Sequence, residues 1–416
     1  MKTVKIGIFG LGRGSSFYKA IQHNNGDIVA VCDQNPKRLE SAKKHLGEDL
    51  ATYTDFDEFL SHPGMEAVFL CNYFHEHAPY AIKALEKNIH VLSECTSNST
   101  MAEGVALVRA AEKSSAIYML AENYPFTRYT LEMRRLYQSG TLGKVLFAEG
   151  EYNHPLDTIH DDGRRSIKSL RPFAKHWRTH LPKTYYVTHA LAPLMHITGA
   201  KPVRVTAMPV YAPYKKEELV GVVVGDRASI IPTLNDDDSV FRVTGNAAFG
   251  AHETSYRICA EKGQMEHGRA TALQVRYDEW NVPEGGTSHS IYWPEWNDPD
   301  VKMIEASGHG GGDFLVIREF FQSIWRMKPP VFDVHFATTM ASVGILGHRS
   351  QLERGVPYDI PDFHKEEDRQ KYENDTLTPF WGSDGSEPTI FACSHQTHHI
   401  TQEEADEYDA MMAEIK

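Results

Sequence analysis

Residues 4–15 read VKIGIFGLGRGS, an apolar run that ends in glycines, and residues 15–24, SSFYKAIQHN, continue with helical spacing. The segment therefore reads as strand, tight turn, helix. Gly10 and Gly12 stand at the first two positions of G-x-G-x-x-G, Arg13 and Gly14 fill the turn, and Ser15 takes the third position. The first two glycines let the backbone turn tightly and approach a pyrophosphate, whose charge sits at the N-terminus of the next helix. The motif is weak alone, but Asp33 ends the next apolar run, 21 residues after Gly12. A carboxylate there accepts hydrogen bonds from a ribose 2′-OH and repels a 2′-phosphate, which favours NAD over NADP. A glycine turn in an unrelated doubly wound fold is the plainer alternative.

Working outward, strand-like runs follow at 27–33, 65–72, 88–94 and 116–123, with helix-like stretches at 37–46, 77–87 and 101–114 between them. Strands alternating with helices of that length mean right-handed crossovers and a parallel sheet. After residue 124 the texture changes. A helix at 125–138 gives way to strand-like runs at 145–152, 203–211, 240–247, 254–260 and 271–277, with helices expected again at 313–325 and 334–350. The fold class expected is α/β: an N-terminal Rossmann doubly wound parallel sheet and a C-terminal α+β domain with a large, mostly antiparallel open sheet. The expected division is 1–124 for NAD binding, 125–363 for substrate, and 364–416 as a polar, acidic surface extension.

A chain of 416 residues with 41% apolar and 11% aromatic residues can fill two cores. The formal charge of −13, from 56 acidic against 43 basic side chains, opposes nucleic-acid binding. No run approaches a membrane span, and the N-terminus lacks the apolar region of a signal peptide, so no membrane partner and no export are expected. Five cysteines without C-x-x-C spacing suggest neither a disulfide framework nor a zinc ribbon, and a cytoplasmic location is the expectation.

With the turn, Asp33, the segment from Asn72 through Leu85 and the PDF at 361–363, the chain resembles the glucose–fructose oxidoreductase, inositol dehydrogenase and MocA family from residue 3 to 363. Asn72 and His77-Ala-Pro-Tyr-Ala81 look like the family's Asn loop and His-x-x-x-Ala helix. The family then has a strand ending in Glu-Lys-Pro, whose lysine sits beside the nicotinamide and the substrate hydroxyl. Here the triplet is Glu94-Cys95-Thr96, and the lysine is missing. Four segments are similar to one branch, the NAD-dependent glycosidases of α-N-acetylgalactosaminidase type, which also lacks that lysine: MLAENY at 119–124, EGEYNH at 149–154, YVTHALAP at 186–193 and GHGGGD at 308–313.

The resemblance implies that bound NAD oxidises a sugar at C3, which acidifies the C2 proton. Elimination, water addition and return of the hydride follow, without the carboxylate pair of ordinary glycosidases. Carried over residue by residue, Tyr152 is the C2 base and His189 serves substrate hydroxyl binding or proton transfer, while Glu122 and Asn123 lie near nicotinamide and sugar and His154 and His309 line the pocket. The cofactor set is Gly10, Gly12, Arg13, Gly14, Ser15, Asp33, Asn72, His77, Glu94 and Asn123. Plainer roles stand beside these: Tyr152 as a half-buried sheet residue, His189 at a helix start, and 308–312 as a flexible turn capped by Asp313.

Residues 164–178 hold six cations, Arg164, Arg165, Lys168, Arg171, Lys175 and Arg178, and no anion. An anionic sugar would suit them, and so would a solvated loop or subunit contact. The run from Cys393 through His395, His398 and His399 matches no metal motif, and no metal is assigned. The reading is thus an NAD-dependent glycoside hydrolase, taken as a homo-oligomer acting on a small sugar or glycoside. An NAD-dependent sugar or cyclitol dehydrogenase, or a silent sugar- or NAD-sensing protein, are the alternatives.

Overall fold

The computed structural model describes residues 2–155, 171–211, 226–268, 272–395 and 399–415. Within them the first sheet has six parallel strands: β1 (Val4–Phe9), β2 (Gly26–Cys32), β3 (Ala51–Tyr53), β4 (Ala67–Leu70), β5 (His90–Ser93) and β6 (Tyr118–Leu120). Their order is β3-β2-β1-β4-β5-β6, the doubly wound Rossmann arrangement. Helices cover both faces, so the central strands carry buried apolar side chains on either side, among them Ile6, Ile8, Val68 and Phe69. The helix Pro36–Leu46 starts where Asn35 accepts from the Lys37 N–H with proline in its first turn, and Met101–Lys113 starts on a capping box between Thr100 and Glu103.

The second sheet has ten strands: β7 (Val145–Asn153), β8 (Pro202–Val205), β9 (Met208–Tyr211), β10 (Asp226–Asn235), β11 (Val240–Ala247), β12 (Glu253–Ala260), β13 (Gly263–His267), β14 (Leu273–Tyr277), β15 (His289–Tyr292) and β16 (Tyr358–Asp359). The path runs β15-β14-β13-β12-β7-β11-β10-β8-β16, with β9 beside β10. Among the described strands of this sheet only the β7–β11 pairing is parallel. The sheet is therefore mostly antiparallel, as the sequence implies.

Three local expectations change. The run 203–211 is two strands, β8 and β9, which both pair with β10. Strand β10, absent from the sequence reading, pairs on both sides although it carries Pro232, a residue that a paired strand usually excludes. The helix Thr188–Thr198, whose start the sequence offers only as a plainer role for His189, shows no period, because its residues 188–197 are all buried and it has no polar face. Gly150 in β7 lets this helix lie on the sheet: a Cβ there would stand 2.1 Å from the Ala190 carbonyl oxygen. That contact fixes the height of the helix over β7.

The chain after residue 363, expected as a surface extension, is packed. Arg369 is buried against Glu112 and the Phe363 carbonyl, and Arg349 forks onto Asp375. Phe380, 2% exposed, meets Phe74, His75 and Tyr185. Trp381, Ile400, Tyr408 and Met412 close a second core around Ala174. Charged composition hid this, because the apolar residues that dock are few and irregularly spaced. Phe380→Ala is expected to cost about 3–5 kcal/mol, since the ring fills a closed space; urea unfolding followed by fluorescence measures it, and a loss under about 1 kcal/mol contradicts the packing. No helix among the described residues is long and apolar enough to cross a membrane.

Candidate active site

The order of the first sheet reverses between β1 and β4, and ligands of doubly wound sheets bind in the crevice at such a point. Gly10 sits there with φ +91°, and a Cβ on it would stand 2.4 Å from the Cys71 carbonyl oxygen. Only glycine fits. Asp33 accepts from the Leu11 N–H at 2.7 Å and the Asn35 N–H at 2.8 Å, which draws its carboxylate up to the turn. Ser15 is exposed, and the close helix–strand packing belongs to Gly14, whose Cβ would meet Ile8 at 2.5 Å. The Asn72 amide is buried with no hydrogen-bond partner, and Asn72 lines the adjoining cavity. A tight cradle, a carboxylate and an unsatisfied buried amide are what a dinucleotide cofactor would occupy.

Arg13 ties this turn to the second domain. Its Nε donates to Glu94 at 2.9 Å, and its two terminal nitrogens donate to Asp313 at 3.0 and 2.7 Å. Burial by itself would ease the proton off Arg13, but Glu94 and Asp313 hold the guanidinium charged. Burial likewise opposes the Asp313 charge, yet His309 and Arg13 keep that carboxyl well below the usual range. Asn123 donates to Asp313 at 2.9 Å, and His309 approaches it at 3.0 Å. Asp313, read from sequence as a turn cap, is the hub that joins Arg13, Asn123 and His309.

Beyond it lies a cavity of about 400 Å³. Tyr152, His154 and His309 line it. Behind them Glu122, fully buried, accepts from His189 at 2.8 Å, from the Cys95 thiol at 3.2 Å and from the Tyr124 N–H at 3.3 Å. Burial pushes the Glu122 carboxyl up, but His189, Cys95 and the Tyr124 N–H together bring it below the ordinary carboxylate value. Cys95, in the place of the family lysine, has its thiol pushed well up by burial beside Glu122 and Glu94, so it stays protonated. The Tyr256 hydroxyl donates to the His189 carbonyl at 2.7 Å and fixes the start of the helix Thr188–Thr198. The Tyr152 ring stands edge-on to His189, centroids 4.8 Å apart, with Tyr124, His154 and Tyr186 around it. Burial raises the Tyr152 phenol to about 12, against the pull of Arg178 and of a hydrogen bond with Tyr124.

The structure thus gathers Tyr152, His189, Glu122, His154 and His309 about one cavity, with Asn72, His77 and Glu94 on its wall and Asn123 behind Asp313. His77 is anchored through Nδ1 to the Thr96 carbonyl at 2.9 Å. Tyr124 and Tyr186 enter the sequence reading only as members of motifs, with no role of their own, and Asn246 and Lys183 are missed; Tyr186, Asn246 and Lys183 line the cavity, and Tyr124 packs against Tyr152. Of the cationic stretch, Arg171 and Arg178 line the cavity, whereas Arg164, Arg165 and Lys168 lie outside the described residues. No group of three His, Cys, Asp or Glu among the described residues is placed to hold a metal. Gln396, Thr397 and His398 lie outside those residues.

Comparison with known proteins matches both halves of the chain. Residues 4–122 match the oxidoreductase family with an NAD-binding Rossmann fold, and residues 276–370 match the C-terminal domain of glycosyl hydrolase 109. A glycosyl hydrolase family 109 protein of Saccharopolyspora erythraea is 27% identical over 408 residues, covering 87% of this chain and 83% of its own. One from Shewanella pealeana is 24% identical, covering 87% and 86%. Among solved structures, levoglucosan dehydrogenase in complex with NADH and L-sorbose superposes with a TM-score of 0.70 at 16% identity, covering 87% of this chain and all (100%) of that one. Aldose-aldose oxidoreductase from Caulobacter crescentus, complexed with glycerol, gives 0.65 at 15% identity, covering 86% and 100%. The chain thus joins an NAD-binding oxidoreductase Rossmann domain to a glycosyl hydrolase 109 C-terminal domain, and it is similar along most of its length to glycosyl hydrolase family 109 proteins.

Proposed function

We propose that this NAD-dependent glycoside hydrolase cleaves a sugar glycoside by transient oxidation at C3, elimination across C1 and C2, water addition and re-reduction. NAD would be held by the turn at Gly10 and Gly14 with Asp33 behind it, and would supply the acceptor and donor of the C3 hydride, so that no reduced cofactor would accumulate. The chain's own groups do the proton work. Tyr152 takes the C2 proton, the electron pair forms the C1–C2 double bond, and the glycosidic oxygen leaves C1. The leaving oxygen takes a proton from solvent; water then adds its hydroxyl at C1 and gives its proton to solvent, and Tyr152 returns its proton to C2. His189, turned by its bond to Glu122, holds a substrate hydroxyl or passes its proton. Tyr124, hydrogen-bonded to Tyr152, extends the path along which that proton moves. His154 and His309 close the cavity.

The buried Glu122–His189 pair against Tyr152, with protonated Cys95 where the family lysine would be, carries this reading. Without a lysine beside the oxidised carbon, the site is less suited to net dehydrogenation than to a reaction whose redox steps cancel. The decisive experiment incubates the protein with catalytic NAD and a panel of nitrophenyl glycosides, following nitrophenol and NADH together. Nitrophenol without stoichiometric NADH is the expected result. NADH accumulating from free sugars would make the protein a dehydrogenase. On the large sheet, Met208, Leu234 and Val240 stand exposed, which supports assembly as a homo-oligomer. The five free cysteines suit a reducing cytoplasm.

A further inference from the structure

The cavity has two chemically different sides. Toward the glycine turn, its charges are matched, because Glu94 meets Arg13 at 2.9 Å. On the far side, beside Tyr152 and His154, the wall is cationic: Lys183, Arg178 and Arg171 all line it. Lys183 is only 6% exposed, and no carboxylate among the described residues lies within ion-pairing distance of it or of Arg178. Asp226, the acid whose charge reaches Lys183, has its oxygens engaged by Ser394 and Gln351. Burial, with Arg171 and Arg227 nearby, brings the Lys183 ammonium down to about 8, as happens to a cation that lacks a counter-ion.

The position of Lys183 is set by packing. A Cβ on Gly245 of β11 would stand 2.3 Å from the Lys183 carbonyl oxygen, so the lysine backbone rests directly on the sheet. Arg178 is held over the Trp177 ring at 4.4 Å and is exposed toward solvent. Both cations bear on the reacting end of the cavity, since Arg178 acts on Tyr152 and His154, and Lys183 acts on His154. A buried ammonium without a partner is costly, and an anion brought by a ligand would relieve that cost.

We propose that the substrate is an anionic sugar, whose carboxylate or sulfonate is seated between Lys183 and Arg178, with Arg171 completing the wall. The inference rests on the reading of this cavity as the sugar site. It assigns Lys183 and Arg178 to substrate selection, with no share in the oxidation itself.

The test is calorimetric titration of the full chain loaded with NAD, using glucose, galactose and N-acetylgalactosamine alongside the uronic acids of glucose and galactose and 6-deoxy-6-sulfo-glucose. At least one anionic sugar should bind about tenfold or more tightly than its neutral counterpart. In Lys183→Met, which keeps the stem and removes the charge, that preference should fall on the order of 10- to 100-fold. Arg178→Gln, at an exposed position, should weaken it in the same direction. A uronate preference over the sulfonate, or the reverse, identifies the anion. The inference is overturned if no anionic sugar outbinds its neutral counterpart, or if the preference survives both substitutions. Binding is read without turnover, so an anionic preference without glycoside cleavage would sink the proposed reaction and leave the subsite standing. Cleavage of neutral glycosides without an anionic preference would do the opposite.

Discussion

Tyr152→Phe is expected to abolish exchange of the sugar C2 proton with solvent and to lower turnover by about 10²–10⁴-fold, while NAD binding is kept. The ring and its packing against His189, Tyr124 and Tyr186 remain, so only the hydroxyl is removed. Because burial raises this phenol to about 12, the active phenolate is scarce at neutral pH. The exchange rate of the wild type should therefore climb with pH, about tenfold per unit through the neutral range, and the slope should vanish in the phenylalanine variant. The measurement is deuterium incorporation at C2 across pH 6–9, roughly the range that brackets neutrality. Exchange that persists in Tyr152→Phe without a pH slope transfers the base role to His154, whose imidazole burial holds neutral within the same cavity.

Glu122→Gln carries the other large effect. Glu122 accepts from His189, Cys95 and the Tyr124 N–H in a fully buried position, and the amide replaces one acceptor oxygen with a donor. The substitution leaves His189 without its carboxylate, and is expected to cost about 3–5 kcal/mol of stability and about 10²–10³ in turnover. The pH dependence has a definite sign. The Glu122 carboxyl lies below its ordinary value of 4.5 in the fold, so its stabilisation is fully present above that value and is lost as the pH falls through the folded one. The stability difference between wild type and Glu122→Gln should be constant above about pH 5 and shrink toward lower pH. Urea unfolding at stepped pH measures it. A difference that grows on acidification would mean that the carboxyl is protonated in the native state.

The groups proposed for the active site come from distant parts of the chain because each element offers one strand end or helix start to the same crevice. Glu122 follows β6, Tyr152 lies in β7, His189 opens the helix Thr188–Thr198, and Asp313 opens the helix Gly312–Arg326. Their meeting depends on close backbone approaches, such as Gly150 against Ala190. Had β7 carried a side chain there, His189 would stand away from Tyr152 and Glu122.

From local sequence alone, the parallel sheet, the glycine turn, Asp33 and most strands of the second sheet were already determined. Alternating strands and helices and a turn that only glycine can make are local properties, and they survive any tertiary context. The missing lysine was equally legible, as a residue at a known place in a strand–turn element. Tertiary structure alone decided the rest: the extent of the helix Thr188–Thr198, buried all round and so without a period; the strand through Pro232; and the docking of the chain after residue 363. It also decided that Asp313 binds Arg13, Asn123 and His309, and that Lys183 faces the cavity without a carboxylate partner. Such facts depend on burial and on which charges meet across long separations in the chain. Neither has a signature in the spacing of residues.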